Sequence, residues 1–341
     1  MSAFFKQNVG PFLCSFIPLD IWHRLEKIEL IVPHWHLASD QDLPHVTGLY
    51  RYRRCREFAE DVDYFLRHYK SVSMGDVIGY LNGVGEFPKR CVLFTFDDGF
   101  REIHDIVAPI LYTKGVTATF FLITSVIDNR ELCYPQKKSI LINALASLEG
   151  SYTEREVARC LTEAGIEGPD IAAKIRNIYY RKRYLLDKLG SIIGCDYENY
   201  VNSVQPYLTT EQIKELLKKG FFIGAHSLDH PKYSELSLEE QIYQTIESTR
   251  FISTQFNHDC KTFAFPYTDR GISPDFYHKM FSENILKASF GIGGIARGRF
   301  LRHLPRFSME RTNLPAGKIL ARQFGRALIR RPLGVRTGSV V

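Results

Sequence analysis

The stretch from Cys91 to Gly99, which reads CVLFTFDDG, constrains the fold of this chain more than any other segment. An apolar run without alternation is typical of a strand that is buried on both faces, as in a parallel sheet. The strand leads directly into Asp97 and Asp98, and parallel strands present functional groups at their carboxyl ends. Two adjacent carboxylates repel each other there, so the sequence indicates a bound cation with further ligands elsewhere.

A second segment supplies candidates for those ligands. An apolar strand at 221–223 leads into GAHSLDHP (224–231), in which His226 and His230 stand four residues apart. Two histidines at this spacing can face the same way on a helical turn. Together with one carboxylate they form a three-ligand site that leaves a coordination position open for water, as in catalytic zinc sites. The spare carboxylate is then free to act as a base.

Three motifs, taken in their order along the chain, resemble those of the polysaccharide deacetylase family, the NodB-homology enzymes of carbohydrate esterase family 4. They are TFDDG (95–99), His-Ser-x-x-His-Pro (226–231) and FAFPY (263–267), and each follows an apolar strand. The resemblance covers roughly residues 28–125 and 205–310. It implies an α/β fold, a distorted (β/α) barrel of the NodB-homology type, here with an α-helical insertion.

The resemblance also implies a role for each residue of the first two motifs. Asp98, His226 and His230 are the implied ligands of a divalent metal ion, with Zn²⁺ first and Co²⁺, Ni²⁺ or Mn²⁺ as alternatives. Asp97 is the implied general base, which takes a proton from the metal-bound water that acts as nucleophile. The alternative for these residues is structural, with Asp97 capping a helix and the histidines lying in an ordinary loop.

The third motif departs from the family pattern. Tyr267, next to Pro266, stands where the family uses a backbone N–H to stabilise an oxyanion, and the alternative is a buried tyrosine after a rigid turn. The arginine that tethers the catalytic aspartate in many members is Ala264 here. Asp269 and Arg270 follow closely and are candidates to supply the missing charge, and Asp269 is also a candidate to bind substrate. Arg306 is a second candidate, either for holding the catalytic aspartate or for binding an acid group of the substrate.

The histidine that serves as general acid in the family is not evident. His303 is the nearest histidine to the C-terminal strand, where the family has it. A substitute should stand at the carboxyl end of a strand, with a pKa near the working pH. His34 and His36 follow the predicted first strand at 28–32, and we expect His36 to face the site.

The order of predicted elements divides the chain into five parts. Residues 1–26 form an N-terminal segment, 27–127 the first part of the barrel, 128–205 a helical insertion, 206–312 the second part of the barrel and 313–341 a basic tail. Alternation of strands and helices in the two barrel parts predicts a parallel sheet. The insertion is expected to act as a lid, an acceptor-sugar platform or a dimer contact.

The net charge of +6 is confined to the C-terminus. Residues 318–341 contain six basic residues and no acidic one, so the rest of the chain is close to neutral and no nucleic-acid partner is expected. Apolar residues and arginines between 314 and 333 predict an amphipathic helix. It either packs on the barrel or lies on a membrane, as a peripheral contact that would suit a lipid-linked substrate.

Seven cysteines occur singly, with no Cys-x-x-Cys motif, which is typical of a reducing compartment. The N-terminal residues do not show the pattern of a secretory signal, and no stretch reaches the ~20 apolar residues that cross a bilayer. We therefore expect a cytoplasmic location. The alternative is peripheral attachment at the inner face of the membrane. This location favours a lipid-linked or nucleotide-linked precursor over a finished polymer.

These observations predict a metal-dependent hydrolase that removes N-acetyl groups from an amino sugar in bacterial surface-polysaccharide biosynthesis. An O-acetyl esterase or another amide hydrolase on the same scaffold is the alternative within enzymes. A catalytically silent glycan-binding homologue is the alternative outside them, motivated by the missing arginine and the missing acid. A peripheral membrane scaffold that acts through the basic tail is a third alternative.

Overall fold

A parallel eight-stranded sheet forms the centre of the molecule in the computed structural model, which describes residues 19–25, 28–85, 88–296 and 298–330. All neighbouring strands of this sheet pair in parallel. In spatial order they are β10 (His303–Pro305), β9 (Ala288–Gly291), β8 (Thr262–Ala264), β7 (Phe222–Ala225), β6 (Ala118–Leu122), β5 (Phe94–Phe96), β2 (Pro33–Trp35) and β11 (Phe307–Ser308).

The two edge strands of this sheet are almost consecutive in the chain, which brings the edges together. Only Arg306 separates β10 from β11. Its N–H donates to the Gly291 carbonyl at 3.1 Å, on one edge, and the N–H of Phe307 donates to the Val32 carbonyl at 3.2 Å, on the other. The sheet is therefore nearly closed, and the predicted distorted (β/α) barrel is confirmed.

A smaller parallel sheet precedes the barrel. It contains β1 (Leu30–Ile31), β4 (Cys91–Val92) and β3 (Lys70–Ser71), with β4 in the middle. Strand β1 leads into β2 and strand β4 leads into β5, so the aspartate strand begins in the small sheet and ends in the barrel.

The strand that carries the aspartates is buried along its whole length. All residues of β5 and of its neighbour β6 are buried. On the other side, the Trp35 ring of β2 stacks with its centroid 6.0 Å from that of Phe94 and 5.4 Å from that of Phe96. Burial on both faces explains why the apolar run does not alternate with polar residues.

Several helices begin where a side chain caps a free N–H group, among them the helices that start at Met74 and Thr210. Ser73 Oγ accepts from the N–H of Asp76 at 3.1 Å, and Thr209 Oγ1 accepts from the N–H of Gln212 at 3.3 Å, as the capping-box patterns predict. The α-helices are α1 (Leu19–Leu25), α2 (Pro44–Thr47), α3 (Cys55–His68), α4 (Met74–Leu81), α5 (Ala108–Thr113), α6 (Tyr134–Leu145), α7 (Tyr152–Glu163), α8 (Ile171–Asn177), α9 (Tyr184–Ile193), α10 (Tyr197–Val204), α11 (Thr210–Lys218), α12 (Leu238–Phe256), α13 (Pro274–Ser282) and α14 (Ala316–Arg330). Shorter helical turns are the π-helix Ile103–Val107 and the 3₁₀ turns Ile127–Asn129, Tyr180–Lys182 and Tyr233–Glu235.

The segment between the two parts of the barrel contains helices α6 to α10 and packs in a second core, which it shares with barrel residues such as Leu37 and Phe100. Leu141, Val157, Leu161, Ile175 and Leu189 are fully buried in this core. Because they come from four different helices, the segment packs as a unit rather than as separate loops. The boundaries that we assigned to the insertion and to the other parts stay predictions.

Helix α14, in the predicted basic tail, turns its apolar face toward the barrel. Ile319, Leu320 and Phe324 are buried in the main core, and the Phe324 ring stacks on Trp22 at 5.9 Å between centroids. This face is therefore not free to enter a bilayer, and membrane contact stays a prediction that rests on the arginines. Residues 331–341 of the tail lie outside the described residues. Among the described helices, none is long and apolar enough to span a membrane.

Candidate metal centre and active site

The predicted metal ligands meet at the carboxyl ends of β5 and β7. Asp98 Oδ1 lies 3.4 Å from His226 Nε2 and 3.3 Å from His230 Nε2, and all three side chains are buried. One ligand atom of each residue lies within 4.8 Å of the other two, a spacing that a single cation can bridge. The observed geometry thus brings together residues that are 128 or more positions apart in sequence.

Tight turns after the two strands direct these side chains inward. Asp98 and His230 have positive φ angles of 73° and 64°. Gly99, which follows with φ +82°, cannot be replaced freely, because an added Cβ would lie 3.0 Å from Leu122 Cδ2. In the histidine turn, Ser227 Oγ accepts from the N–H of His230 at 2.9 Å. The conformational demands of these turns explain the small residues that accompany both motifs.

The hydrogen bonds of these ligands, together with the pKa shifts of Asp98 and His230, fit a divalent cation. His226 Nδ1 bonds to the carbonyl of Ala264 at 2.8 Å, which leaves Nε2 with its lone pair toward Asp98. Asp98 Oδ1 is buried without a hydrogen-bond partner among the described residues. Burial alone would raise the pKa of Asp98, but His230 and His226 hold it well below its usual range. Burial lowers the pKa of His230. An ionised carboxylate with neutral imidazoles is the state that binds zinc-type metals.

The neighbouring carboxylate, Asp97, is held by an arginine rather than by the histidines. Arg306 donates from Nη1 to Asp97 Oδ1 at 2.7 Å and from Nη2 to Oδ2 at 2.8 Å. Burial by itself would raise the pKa of Asp97, but Arg306, followed by His226, holds it well below its usual range. This two-point contact fixes the plane of the carboxylate and keeps it ionised.

Arg306 reaches Asp97 because it lies where the two edges of the barrel join. Its side chain is 0% exposed, and its guanidinium lies 5.4 Å from the centroid of the Phe121 ring. The family position for a tethering arginine holds Ala264, whose carbonyl accepts the hydrogen bond from His226 instead. Of the two roles considered for Arg306, the structure shows the contact with Asp97.

His36 lies in the same cavity and is bound to a glutamate. His36 Nδ1 is 2.5 Å from Glu310 Oε2, and the N–H of His36 donates to Glu310 Oε1 at 3.0 Å. Burial alone would lower the pKa of His36, but the charge and hydrogen bond of Glu310 raise it to about 9. His34, the other candidate, is buried, and burial together with Arg306 lowers its pKa well below the ordinary value. At neutral pH, His36 is therefore the better proton donor of the two.

Tyr267 lies beside the metal ligands, at the end of the β8 segment. Its ring centroid is 4.6 Å from that of His230, its hydroxyl donates to the Tyr134 hydroxyl at 2.9 Å, and its φ is 56°. Pro266 is buried immediately before it and fixes the turn. The side chain of Tyr267 is 42% exposed, so it is not the buried tyrosine of the alternative interpretation. The role of its N–H stays a prediction.

Two other candidates from the sequence lie away from the cavity. Asp269 accepts from the N–H of Ile292 at 3.0 Å and is 3.0 Å from His303 Nε2. His303 Nδ1 is in turn 2.8 Å from the Ser289 hydroxyl. Because both carboxylate oxygens of Asp269 and both ring nitrogens of His303 are engaged, we propose neither residue as a substrate ligand or general acid.

A cavity of about 530 Å³ joins these groups. Asp97, Asp98, the two metal-site histidines, His34, His36, Tyr267 and Glu310 line its base, and residues of the insertion form one wall. Its volume is in the range of small-molecule sites. The insertion thus borders the site, which is consistent with its predicted lid or platform role without deciding between them.

Two residues that contact Asp98 or His36 in the cavity were missed by the sequence analysis. Glu310 follows β11 by two positions, and a search for carboxylates after every strand would have found it. Tyr50 donates its hydroxyl to Asp98 Oδ2 at 3.2 Å, and its ring centroid is 4.4 Å from that of His36. Tyr50 lies in a loop between α2 and α3, where no sequence signal distinguishes it.

Comparisons with known proteins agree with this geometry. The model of the family described as "Polysaccharide deacetylase" matches residues 84–276, more than half of the 341-residue chain. A search of curated proteins found none with significant similarity.

Solved structures share the fold at low sequence identity. A Streptococcus pyogenes deacetylase, PplD, determined in complex with acetate, is 17% identical with a TM-score of 0.54, over 84% of this chain and 95% of its own. IcaB from Ammonifex degensii is 16% identical with a TM-score of 0.54, over 86% of this chain and 97% of its own. The match to the family model, supported by this shared fold, shows that the chain belongs to the polysaccharide deacetylase family and is a hydrolase of the deacetylase type.

Proposed function

We propose that this protein is a metal-dependent enzyme that removes the N-acetyl group from an amino sugar used in surface-polysaccharide synthesis. The observation that carries the proposal is the convergence of Asp98, His226 and His230. Asp97 lies beside them and is bound by Arg306 instead of by the histidines. Asp98 and the two histidines would hold the divalent cation, for which Zn²⁺ is our first choice. When bound, the cation polarises the amide carbonyl and lowers the pKa of water.

Asp97 and His36 then carry out the two proton transfers, Asp97 as the base and His36 as the acid. Asp97 accepts a proton from the attacking water, whose oxygen forms the new bond to the carbonyl carbon. His36, protonated at neutral pH, gives a proton to the amide nitrogen as the carbon–nitrogen bond breaks. The products are acetate and a free amine. Arg306 keeps Asp97 in place, and Glu310 does the same for His36.

The charge state of His36 favours an amide over an O-acetyl ester as substrate. An amine leaves only after its nitrogen is protonated, whereas an alkoxide is a better leaving group and depends less on an acid. A histidine whose pKa is raised to about 9 is a protonated donor over the whole neutral range. Comparing the release of acetate from N-acetylated and O-acetylated sugars tests this preference directly.

Replacing Asp97 by asparagine should abolish most of the activity while leaving the metal in place. Loss of the base is expected to lower acetate release from N-acetylated oligosaccharides about 10²–10⁴-fold. Metal content, measured on the purified protein, should remain that of the wild type, since Asp97 is bound to Arg306 rather than to the histidines. Undiminished acetate release by Asp97→Asn would contradict the assigned base. A wild-type protein that binds metal but releases no acetate from any acetylated sugar would support the silent glycan-binding alternative.

Replacing Glu310 by glutamine should move the basic limb of the pH profile to lower pH. Without Glu310 the pKa of His36 falls from about 9 toward its ordinary value of 6.5, so the protonated donor disappears at lower pH. A complete shift would lower kcat/KM at pH 8 by up to about 30-fold, with little change at pH 6. The raised pKa also stabilises the fold fully below about pH 6.5, and this contribution is lost as the pH rises through about 9.

The matched control for this experiment is Glu102→Gln. Glu102 is also buried, but it does not line the cavity, so its replacement should leave the pH profile unchanged. A basic limb that stays at its wild-type position in Glu310→Gln would exclude His36 as the titrating acid.

A further inference from the structure

Four basic side chains line the walls of the catalytic cavity: Arg51, Lys138, Arg176 and Arg311. They come from three separate parts of the chain, namely the loop after α2, helices α6 and α8 of the insertion, and the segment after β11. Convergence of cations from three segments on one cavity is not a consequence of any single helix or charged run. It indicates that the cavity as a whole is built to receive negative charge.

None of these four cations is paired with a carboxylate within the described chain. Lys138 donates from Nζ to the carbonyl of Arg176 at 3.0 Å, and Arg176 donates from Nε to the carbonyl of Gly48 at 3.2 Å. For Arg51 and Arg311, neither an ion pair nor a hydrogen bond to a described residue is formed. Arginines on this protein's outer surface, in contrast, commonly pair with neighbouring acids, as Arg181 does with Glu240.

The acidic residues of the cavity cannot neutralise these walls, because each is already engaged. Asp97 is held by Arg306, Asp98 faces the two metal-site histidines and Tyr50, and Glu310 is bound to His36. The positive charge of the walls therefore stays available to a ligand.

Lys138 is the strongest indication that a ligand supplies the missing charge. Its side chain is buried, and its ammonium group lies 5.0 Å from the centroid of the Tyr134 ring. Burying an ammonium group without an anionic partner costs free energy. Burial lowers its pKa to about 8, although the charge of Glu235, which is not in direct contact with it, acts in the opposite direction, so Lys138 remains mostly charged at neutral pH. An anion that enters the cavity would offset this cost.

We infer that the walls formed by Arg51, Lys138, Arg176 and Arg311 bind a diphosphate group, so that the substrate is an N-acetylated amino sugar carried on a diphosphate. The inference rests on the proposed function, since it places the sugar's acetamide at the metal centre. The guanidinium group of arginine binds two phosphate oxygens at once. Four cations are more than a single carboxylate of a ligand needs for charge neutralisation, which favours a diphosphate. A nucleoside diphosphate and a polyprenyl diphosphate share this chemistry.

A binding experiment tests the cations without relying on catalysis. Inorganic diphosphate is titrated into the full-length protein by calorimetry, and Arg176→Gln and Arg311→Gln should each weaken binding about tenfold or more. Lys174→Gln is the matched control, because Lys174 lies on the same helix as Arg176 but bonds to Thr162 and does not line the cavity. An equal effect of Lys174→Gln and Arg176→Gln would overturn the inference.

A further variant separates the cations from the metal, which can itself bind diphosphate. In Asp98→Ala the metal site is removed, while the four basic residues remain. Binding that persists in this variant, and is lost on adding the Arg176 and Arg311 substitutions, supports the inference. Binding that disappears in Asp98→Ala alone identifies the metal as the anion site and overturns it.

Kinetics with three substrates then identify the carrier. Acetate release is compared for uridine diphosphate N-acetylglucosamine, a polyprenyl-diphosphate N-acetylhexosamine and an uncharged N-acetylated tetrasaccharide. Arg176→Gln should raise KM about tenfold for one or both diphosphates and leave the tetrasaccharide unaffected. The diphosphate substrate with the lower KM identifies whether the sugar is carried on a nucleoside or on a polyprenyl group.

The outcomes distinguish this inference from the proposed function. Turnover of the tetrasaccharide alone, insensitive to the arginines, would retain deacetylation and reject the diphosphate site. Arginine-dependent binding of diphosphate without acetate release from any substrate would retain the anion site and reject deacetylation. Stronger binding of a sugar carboxylate than of diphosphate would overturn the assigned ligand class.

Discussion

Replacing Asp98 by alanine is expected to remove both the metal and the activity. Asp98 supplies the only carboxylate among the residues that cluster as a metal site in the described chain, and its buried Oδ1 lies within 3.4 Å of both histidine Nε2 atoms. Loss of this charge leaves two imidazoles, which hold a divalent cation much less tightly than they do with a carboxylate. Because the cation supplies several kcal/mol of transition-state stabilisation, acetate release should fall about 10³-fold or more. Metal content and acetate release are measured on the same preparation.

The matched control is Asp229→Asn, in the same turn as the two histidines. Asp229 lies one position before His230, but its carboxylate accepts from Tyr180 at 2.5 Å and from Gln244 at 2.8 Å, away from the cluster. Asparagine has nearly the same shape as aspartate, so the metal should remain bound in Asp229→Asn. Stoichiometric metal and full turnover in Asp98→Ala would refute the assigned centre, as would equal loss of metal in both variants.

Replacing Arg306 by methionine is expected to impair both stability and catalysis. The side chain is fully buried, and both of its terminal nitrogens donate to Asp97. Removing it leaves a buried carboxylate without its main partner, which typically costs about 3–5 kcal/mol. Asp97 also loses its fixed orientation, and misplacement of a reacting group by about 1 Å can lower a rate about 10²-fold. Urea denaturation and acetate release measure the two effects.

A double variant separates the structural part of this effect from the catalytic part. In Arg306→Met with Asp97→Asn, both charges are removed, so much of the lost stability should return. Acetate release should not return, because the base is absent. Arg306→Lys keeps the charge but not the two-point contact, and we expect it to be intermediate in both measurements. Wild-type activity in a folded Arg306→Met protein would show that Asp97 needs no tether.

The metal centre could be predicted from sequence because each ligand is tied to a local pattern. Asp97 and Asp98 follow a strand that is buried on both faces, and His226 and His230 follow another such strand. In a parallel sheet, carboxyl ends of strands meet at one edge, so sequence order and strand composition were sufficient to bring these residues together. The motif resemblance identified which edge carries the chemistry.

The partners of these residues could not be assigned in the same way. Arg306 and Asp97 are 209 positions apart, and Glu310 and His36 are 274 apart. Nothing local requires either pairing, and the sequence also made Asp269, together with Arg270, a candidate to supply the missing charge. Its carboxylate instead holds His303 and the N–H of Ile292, because the β8 and β9 segments place it outside the cavity.

The charge of the cavity was also hidden from the sequence. Outside the C-terminal tail the chain is nearly neutral, which argues against a general polyanion binder but says nothing about local charge. Lys138 and Arg176 belong to the insertion, whereas Arg51 and Arg311 flank the barrel, and only their common cavity makes them a group.

The sequence by itself determined the class of fold, the candidate metal ligands and the family to which the chain belongs, since these follow from strand composition and short motifs. The tertiary structure alone decided which arginine holds Asp97, which carboxylate keeps His36 protonated and which cations line the cavity. Closing the barrel at Arg306 is the physical reason, because it places residues from the last strands of the chain against those from the first.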